Sequence, residues 1–370
     1  MKIIDIFSGG GGLSEGFRID EFQFICHIEK EASACLTLKL RNIYYYLKEL
    51  NNLELYNKYL RKEINFQELM EVIPGYILED VLNLEINEET ILDVFAFIDK
   101  RLNGEHLDGI IGGPPCQAYS TIGRFNNKHK KETDERIYLY EYYVQFLEKY
   151  KPKFFVFENV KGLLSFKDYK DNPLLPMIIE AFDSAGYEVR YEIINAEDYG
   201  VCQRRERLFL VGFRKDIEVK KNFFEILKTY QSNAPTIKEL FSDLPNLKAG
   251  EFKSEYSKSI DESEASQEYR DILTDVLTQH ISRSNNENDL KIYKLVSDAK
   301  KQGLNLKYNE LPEELITHTN TKSFLDRYKA IEGNSVSHTV VAHISKDGHY
   351  YIHPDSSQNR SISVREAARI

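Results

Sequence analysis

The apolar run Leu107-Asp108-Gly109-Ile110-Ile111 stops abruptly at Gly112-Gly113-Pro114-Pro115-Cys116-Gln117. A β-branched run that ends at two glycines and two prolines reads as a buried strand feeding a rigid loop, because proline fixes φ and carries no N–H. A helix cannot continue through that stretch. The next side chain, a cysteine, is thus presented from a stiff turn, and in an open α/β sheet the carboxyl ends of strands are where ligands bind. From these residues alone Cys116 is either a nucleophile or a small apolar plug in a loop.

The first half of the chain repeats this strand-and-loop rhythm. Residues 3–7 read as a short strand, followed by Ser8-Gly9-Gly10-Gly11-Gly12 and the start of a helix at Leu13. Glycines there let backbone approach a ligand closely. The dinucleotide fingerprint G-x-G-x-x-G fails, since Ser14 and Glu15 occupy the last glycine position in either register. A second strand, 22–28, ends at Glu29, where a carboxylate can accept hydrogen bonds from ribose hydroxyls or simply face solvent. Residues 31–72 read as helical, 77–81 as a third strand with Asp80 at its carboxyl end, and 88–102 as a helix. After the Cys116 loop comes a basic segment, Ser120 to Lys131, then a helix over 134–150. The strand Phe154-Phe155-Val156-Phe157 runs into Glu158-Asn159-Val160, and partial burial of such a carboxylate suits general acid work. A helix over 173–186 and a strand over 187–194 precede Gln203-Arg204-Arg205-Glu206-Arg207 and a strand over 208–213. Three arginines at the mouth of a strand call for an anion or carboxylate unless solvent covers them.

Near residue 215 the alternation ends. Residues 215–330 are polar, with an acidic, Ser-containing patch from Glu251 to Glu264 and helix-like stretches over 266–282 and 288–302. Strand patterning returns over 337–343 and 349–353, and Ser363 with Glu366 forms a capping box that opens a last helix. The chain has 370 residues and a formal charge of -10, which counts against a protein that binds nucleic acid with its whole surface but leaves room for a local basic cleft. Its four cysteines form no C-x-x-C, which points to free thiols in a reducing compartment. No signal peptide and no membrane-spanning stretch is seen, so a soluble, cytoplasmic protein is expected. The spacing of His343, His349 and His353 is not that of a zinc site, and no metal is expected.

Taken in order, Gly9–Gly12, Glu29, Asp80, Pro114-Pro115-Cys116-Gln117, Glu158-Asn159-Val160, Gln203-x-Arg205-x-Arg207 and Arg365-Glu366 resemble the motifs of the DNA (cytosine-5) methyltransferase family of bacterial restriction-modification systems. The resemblance covers residues 5–214 and about 324–370. It implies an α/β fold: a Rossmann-like S-adenosylmethionine-dependent methyltransferase domain with a mostly parallel sheet (1–214 and 340–370) and a smaller target-recognition domain (215–339). The implied function is methyl transfer from S-adenosylmethionine to carbon 5 of cytosine in a specific sequence of double-stranded DNA, by base flipping and a covalent cysteine adduct at carbon 6.

Site roles follow from the same resemblance. Cys116 would be the nucleophile, assisted by Glu158, Asn159, Gln117, Arg205 and Arg207. Phe7, Gly9, Gly11, Leu13, Glu29, Asp80, Val81 and Pro115 would hold S-adenosylmethionine, with Glu29 on the ribose and Asp80 on the adenine amino group. Ser120, Gly123, Arg124 and Arg136 in the mobile catalytic loop, and Thr339, would meet DNA. Val201-Cys202-Gln203 stands where the family usually has Val-Pro-Gln, which puts a second thiol near the site. Family members continue beyond the Arg-Glu-Ala-Ala-Arg element into a segment that completes the cofactor pocket. A small subunit or a further carboxyl-terminal segment is therefore an expected partner, and the chain alone is expected to bind cofactor weakly. The expected location is the cytoplasm, with the nucleoid. An RNA cytosine-5 methyltransferase and a catalytically incomplete DNA- or cofactor-binding subunit are the alternative functions.

Overall fold

The computed structural model describes residues 1–115, 119, 134–262 and 264–370. Its contacts divide the chain into two compact units, residues 1–56, 65–194 and 206–229 in the first and 57–64, 195–205 and 230–370 in the second.

The first unit is built on β1 (Lys2–Ile6), β2 (Gln23–Glu29), β3 (Val81–Asn83), β4 (Gly109–Gly112), β5 (Phe154–Val160), β6 (Tyr187–Asn195) and β8 (Glu206–Arg214). These form one seven-stranded sheet in the order β3-β2-β1-β4-β5-β8-β6. β1 pairs in parallel with β2 and β4, β2 with β3, and β4 with β5, while β8 runs antiparallel to β5. The expected mostly parallel sheet is present. Strand order reverses between β1 and β4, the switch point outside which α/β sheets bind ligands. The helices are α1 (Gly12–Glu15), α2 (Ala32–Glu49), α3 (Leu53–Leu60, of which 57–60 belong to the second unit), α4 (Phe66–Glu71), α5 (Gly75–Glu79), α6 (Ile91–Leu102), α7 (Leu139–Tyr150), α8 (Leu174–Ser184) and α9 (Phe223–Lys228).

The core explains why the central strands are apolar from end to end. Ile4, Ile6, Ile110, Phe155 and Phe157 are fully or almost fully buried, packed with Tyr143, Phe146 and Leu147 of α7 and Phe182 of α8. Each such side chain contributes on the order of 1.5–3 kcal/mol. The hydroxyl of Tyr143 lies 3.1 Å from the Ile110 carbonyl and 3.0 Å from that of Val156, so α7 is tied to β4 and β5 together.

Two expectations shift. The helical stretch 31–72 is three helices, broken first at Asn51, which turns left-handed at φ +52°. The third strand begins one residue after Asp80, because α5 runs through Glu79 and the parallel register pairs Val81 with His27 and Asn83 with Glu29. Asp80 therefore precedes the strand and does not end it.

The second unit contains β7 (Gln203–Arg204), which pairs in parallel with β9 (Ser337–His338), and helices α10 (Ile237–Leu240), α11 (Glu264–Tyr269), α12 (Glu287–Lys301) and α13 (Val364–Arg369). Of the expected helix over 266–282 only the start is helical, followed by a 3-10 turn at Ile272–Thr274. Of the strand patterning at 337–343 and 349–353, β9 and single pairings of Ile352 with Ala330 and Ser361 remain. The capping box is formed, with Ser363 Oγ accepting the Glu366 N–H and the Glu366 carboxylate accepting the Ser363 N–H. Residues 340–370 pack in this unit, and 215–229 in the first, so the compact units run across the boundaries read from the sequence.

Buried charge organises this second core. Arg360, fully buried, donates from each Nη to a Glu366 oxygen at 2.7 Å, which holds that carboxyl down at about 2 against the cost of its burial. Burial pushes His353 and His338 down to about 4. An unfolded imidazole titrates near ~6.5, so between about pH 6.5 and 4 the unfolded chain binds protons that the folded chain excludes. The stability from these two neutral histidines is complete above pH 6.5 and lost as pH falls toward 4, while Glu366 stays ionised. We expect the thermal midpoint of the second unit, followed by circular dichroism, to fall across that window, and His338→Gln with His353→Gln to flatten the profile.

Candidate active site

The loops after β1, β2, β3 and β4 open on a cavity of about 930 Å³ in the first unit. Its wall includes Phe7, Gly9, Ile28, Glu29, Gly113 and Pro115, with the segment 84–89 and residues from the start of α7 on the other side. Five of the lining side chains are glutamates (Glu29, Glu85, Glu88, Glu89 and Glu141) against two cations, Lys30 and Arg136. A cavity with that balance favours a cationic ligand.

The glycine turn shapes one wall. Phe7 and Gly9 both have left-handed φ, +56° and +54°. Glycine adopts that conformation freely, whereas phenylalanine does so at a cost. The turn is locked by Glu29 at the end of β2, whose Oε2 accepts the Gly9 N–H at 2.7 Å and whose Oε1 accepts the Glu31 N–H at 2.8 Å. Each oxygen keeps a further lone pair for a ligand hydroxyl. Gly11 makes the turn into α1 at φ +86°, with Leu38 behind it, while Leu13 packs against the cluster of Ile111, Val156, Val211 and Phe224. Neither Gly11 nor Leu13 lines the cavity.

Asp80 and Val81 are also elsewhere. Asp80 lies 3.3 Å from Arg101 Nε, and burial pushes its carboxyl up to about 6 despite that partner. Val81 packs with Cys35 and Leu38. Leu84, Glu85, Ile86 and Asn87 line the cavity instead. The apolar alternation running on past Val81 is the signal that would have extended the third strand to them.

At the end of β5 a second constellation forms. The register carries β4 and β5 side by side to Gly112 and Phe157, which brings the Gly113 backbone against Glu158. A Cβ on Gly113 would sit 2.8 Å from Glu158 Oε2 and 3.1 Å from its carbonyl, so only glycine fits without displacement. Glu158 Oε1 is 2.9 Å from Arg207 Nε, both side chains being largely covered. The antiparallel pairing of β5 with β8, Val160 opposite Arg207, sets that ion pair. Asn159, fully buried, donates from Nδ2 to the Pro114 carbonyl at 3.2 Å, and its Oδ1 accepts the Val160 N–H.

Cys116, Gln117, Ser120, Gly123 and Arg124 lie outside the described residues. Of the described neighbours, Pro114 is held by Asn159, and the buried hydroxyl of Tyr119 donates to the Ile137 carbonyl at 2.7 Å. Tyr119 had no signal in the sequence beyond its neighbourhood. Arg136 lines the cavity and forms a two-pronged ion pair with Asp134, 2.7 Å at each contact.

In the second unit, the Arg205 N–H donates to Asn195 Oδ1 at 3.1 Å and its carbonyl accepts the Ala196 N–H. Thr339 Oγ1 donates to the Arg204 carbonyl at 2.6 Å, and the Val340 N–H reaches Gln203 Oε1. Cys202 is core rather than surface, and burial pushes its thiol up to about 11. Among the described residues no group of three or more His, Cys, Asp or Glu could hold a metal ion, and no helix is long and apolar enough to cross a membrane.

The reversal of strand order, the glycine turn beneath a glutamate and the cavity at the strand ends define a Rossmann-like methyltransferase fold. A prophage-encoded protein from E. coli, assigned to the DNA modification methyltransferases, has this fold at a TM-score of 0.57, with 20% sequence identity over all of this chain and 87% of its own. The family model for C-5 cytosine-specific DNA methylases matches residues 78–370, and the chain belongs to that family. It is 40% identical to the type II methyltransferase M.Bpa9945I of Bacillus paralicheniformis over all of this chain and 90% of that protein. It is 33% identical to M.DdeI of Desulfomicrobium norvegicum over 68% of this chain and 50% of the relative. The protein is a DNA cytosine-5 methyltransferase of the restriction-modification type.

Gly113 offers a direct check on this geometry. Alanine there displaces the Glu158 carboxylate from Arg207 without opening a cavity. On the role proposed for Glu158 below, Gly113→Ala is expected to reduce cytosine-5 methylation of DNA by about tenfold or more, the scale of a small displacement of a group that meets substrate, with the thermal midpoint nearly unchanged.

Proposed function

We propose that this enzyme flips a cytosine out of duplex DNA and attacks its carbon 6 with Cys116, using S-adenosylmethionine held in the 930 Å³ cavity as donor. The observation that carries the reading is the Glu158–Arg207 pair at 2.9 Å beside Gly113, three residues before Cys116 and on the rim of that cavity.

The cavity suits the donor. Glu29 keeps acceptor capacity for two ribose hydroxyls, Phe7, Ile28, Leu84 and Ile86 offer apolar walls for a purine, and the surplus of glutamates matches a sulfonium and an ammonium group. When bound, S-adenosylmethionine supplies the methyl group that carbon 5 accepts.

The protein's own residues do the rest. Carbon 5 of cytosine is a weak nucleophile until a thiolate adds at carbon 6. The Cys116 sulfur forms the new S–C6 bond, and the electron pair displaced from the C5–C6 double bond makes carbon 5 nucleophilic. Glu158 shares a proton with ring N3 and offsets the charge that this addition creates. Arg207 fixes the carboxylate's position, and Asn159 fixes the loop that presents the sulfur. After methylation a base removes the carbon 5 proton, the pair re-forms the double bond, and the thiolate leaves. Carbon 6 is out of reach in a stacked duplex, so the base is extruded at a cost of a few kcal/mol. On this reading Arg205, Gln117, Ser120, Gly123, Arg124, Arg136 and Thr339 support the extruded base and the DNA around it, and residues 215–339 recognise the target sequence.

A duplex containing 5-fluorocytosine tests the reading, because fluorine cannot leave as the proton does. With S-adenosylmethionine present, a stable covalent complex is expected on denaturing gels with the intact chain and none with Cys116→Ser. Glu158→Gln is expected to slow turnover on ordinary DNA by about 10²–10⁴-fold, the range for a lost general acid. Methylation by Cys116→Ser at the parent's rate would refute the mechanism.

A further inference from the structure

Nine described non-glycine residues have φ in the left-handed region, and seven of them are Asn, Asp, Lys or Gln. The other two are phenylalanines. Phe7 lines the cavity, which accounts for it. Phe324, at φ +55°, lies in the second unit and is 76% exposed, the most exposed of the described large apolar side chains. A bulky residue in that conformation is strained, and strain of this kind persists only where the surroundings impose it.

The surroundings do impose it. Arg327 donates from Nε to the Phe324 carbonyl at 3.1 Å and from Nη2 to the Asn320 carbonyl at 3.0 Å, and its guanidinium lies 4.0 Å over the ring of buried Tyr308. Asn320 Oδ1 accepts the N–H groups of Lys322 and Ser323, both at 3.1 Å. The Leu325 carbonyl accepts the Tyr308 N–H at 2.7 Å. A braced turn thus holds an apolar ring out in water, gaining neither burial nor relaxed backbone. Charge indicates what meets it: residues 316–329 carry Lys322, Arg327 and Lys329 against Asp326 alone, in a chain whose net charge is -10. A turn that carries an exposed lysine, Lys322, beside a projecting aromatic ring and has more cations than carboxylates in its sequence fits a polyanion that also offers flat apolar faces, which describes duplex DNA.

We propose that Phe324 is a DNA-contacting wedge whose ring packs against the bases of the duplex substrate while Lys322 sits on the phosphate backbone. The proposal rests on the assignment of DNA as substrate and is independent of the chemistry at Cys116.

The test uses the full chain and a fluorescently labelled pool of random-sequence duplexes, with affinity measured by anisotropy across a salt series and bound sequences read after selection. Phe324→Ala is expected to lower affinity about tenfold, within the range for a lost base–aromatic stack, to alter the selected sequences and to leave the salt slope unchanged. Lys322→Gln is expected to reduce the slope of log K against log salt by about 1, the signature of one phosphate contact, without altering the selected sequences. Phe324→Gly, which relieves the backbone, is expected to melt no lower than the parent and to lose the same affinity. The proposal is overturned if Phe324→Ala and Phe324→Gly bind and select as the parent does, or if Phe324→Gly loses affinity only along with thermal stability. Methyl transfer by the parent to the same pool is scored alongside. A parent that binds DNA but transfers no methyl group would sink the donor reading and leave this one standing.

Discussion

The hydrogen bond from Asn159 to the Pro114 carbonyl joins the ends of two adjacent parallel strands, and the geometry of the candidate site depends on it. Both groups are buried, so removing the donor leaves an unsatisfied carbonyl at a cost of about 1–3 kcal/mol. Two prolines stiffen the chain as it leaves β4, and Asn159 holds it at Pro114. Gly113 adds the second half of the constraint, because absence of a side chain there lets β4 run close enough to β5 for the Glu158 carboxylate to lie over it. From that contact the ion pair to Arg207 follows through the β5–β8 register. Three stretches far apart in sequence, Gly113-Pro114, Glu158-Asn159 and Arg207, are thereby held against one another.

Much of this was legible before any coordinate was known. Apolar runs ended by glycine, proline or a carboxylate marked β1, β2, β4 and β5, because buried parallel strands need unbroken apolar sequence and their loops do not. The glutamate at the end of β2 was legible as a strand-end carboxylate, although its position alone suited a ribose contact and a solvent-facing side chain equally. What failed was register. Asp80 looked like a strand end, but whether a short apolar stretch begins as helix or strand depends on pairing with β2, and no local pattern carries that information. The cavity residues after Asn83 were missed for the same reason. Tyr119 escaped because an aromatic residue in a polar loop looks the same whether its hydroxyl meets a backbone carbonyl or water.

The second unit was less readable, and the cause is its way of forming a core. Its interior joins apolar residues with Arg360, Glu366, Arg369, Asp243 and Arg270, all buried. A polar sequence normally signals surface, so the stretch 215–330 gave only a composition shift. Buried charges are tolerated because each finds a partner: Arg360 with Glu366, and Asp243 with both Arg270 and Arg369. Such networks add little net stability over an apolar core, yet lose much when one member is removed. They also fix α13 to residues far from it in sequence, which hydrophobic contact alone does less selectively.

The electrostatic layout resolves an apparent conflict between an acidic protein and an anionic substrate. At physiological ionic strength charges are screened over about 8 Å, so the net charge of -10 acts weakly on a duplex at a distance while side chains in contact act strongly. Glutamates are concentrated around the cavity beside β2 and β3. The stretch that carries Phe324 has one carboxylate and three cations. On the proposed reading, carrying the two signs in separate stretches serves a positively charged donor and a negatively charged polymer in one chain. It also makes local sequence, not overall isoelectric point, the quantity that reports what such a protein binds.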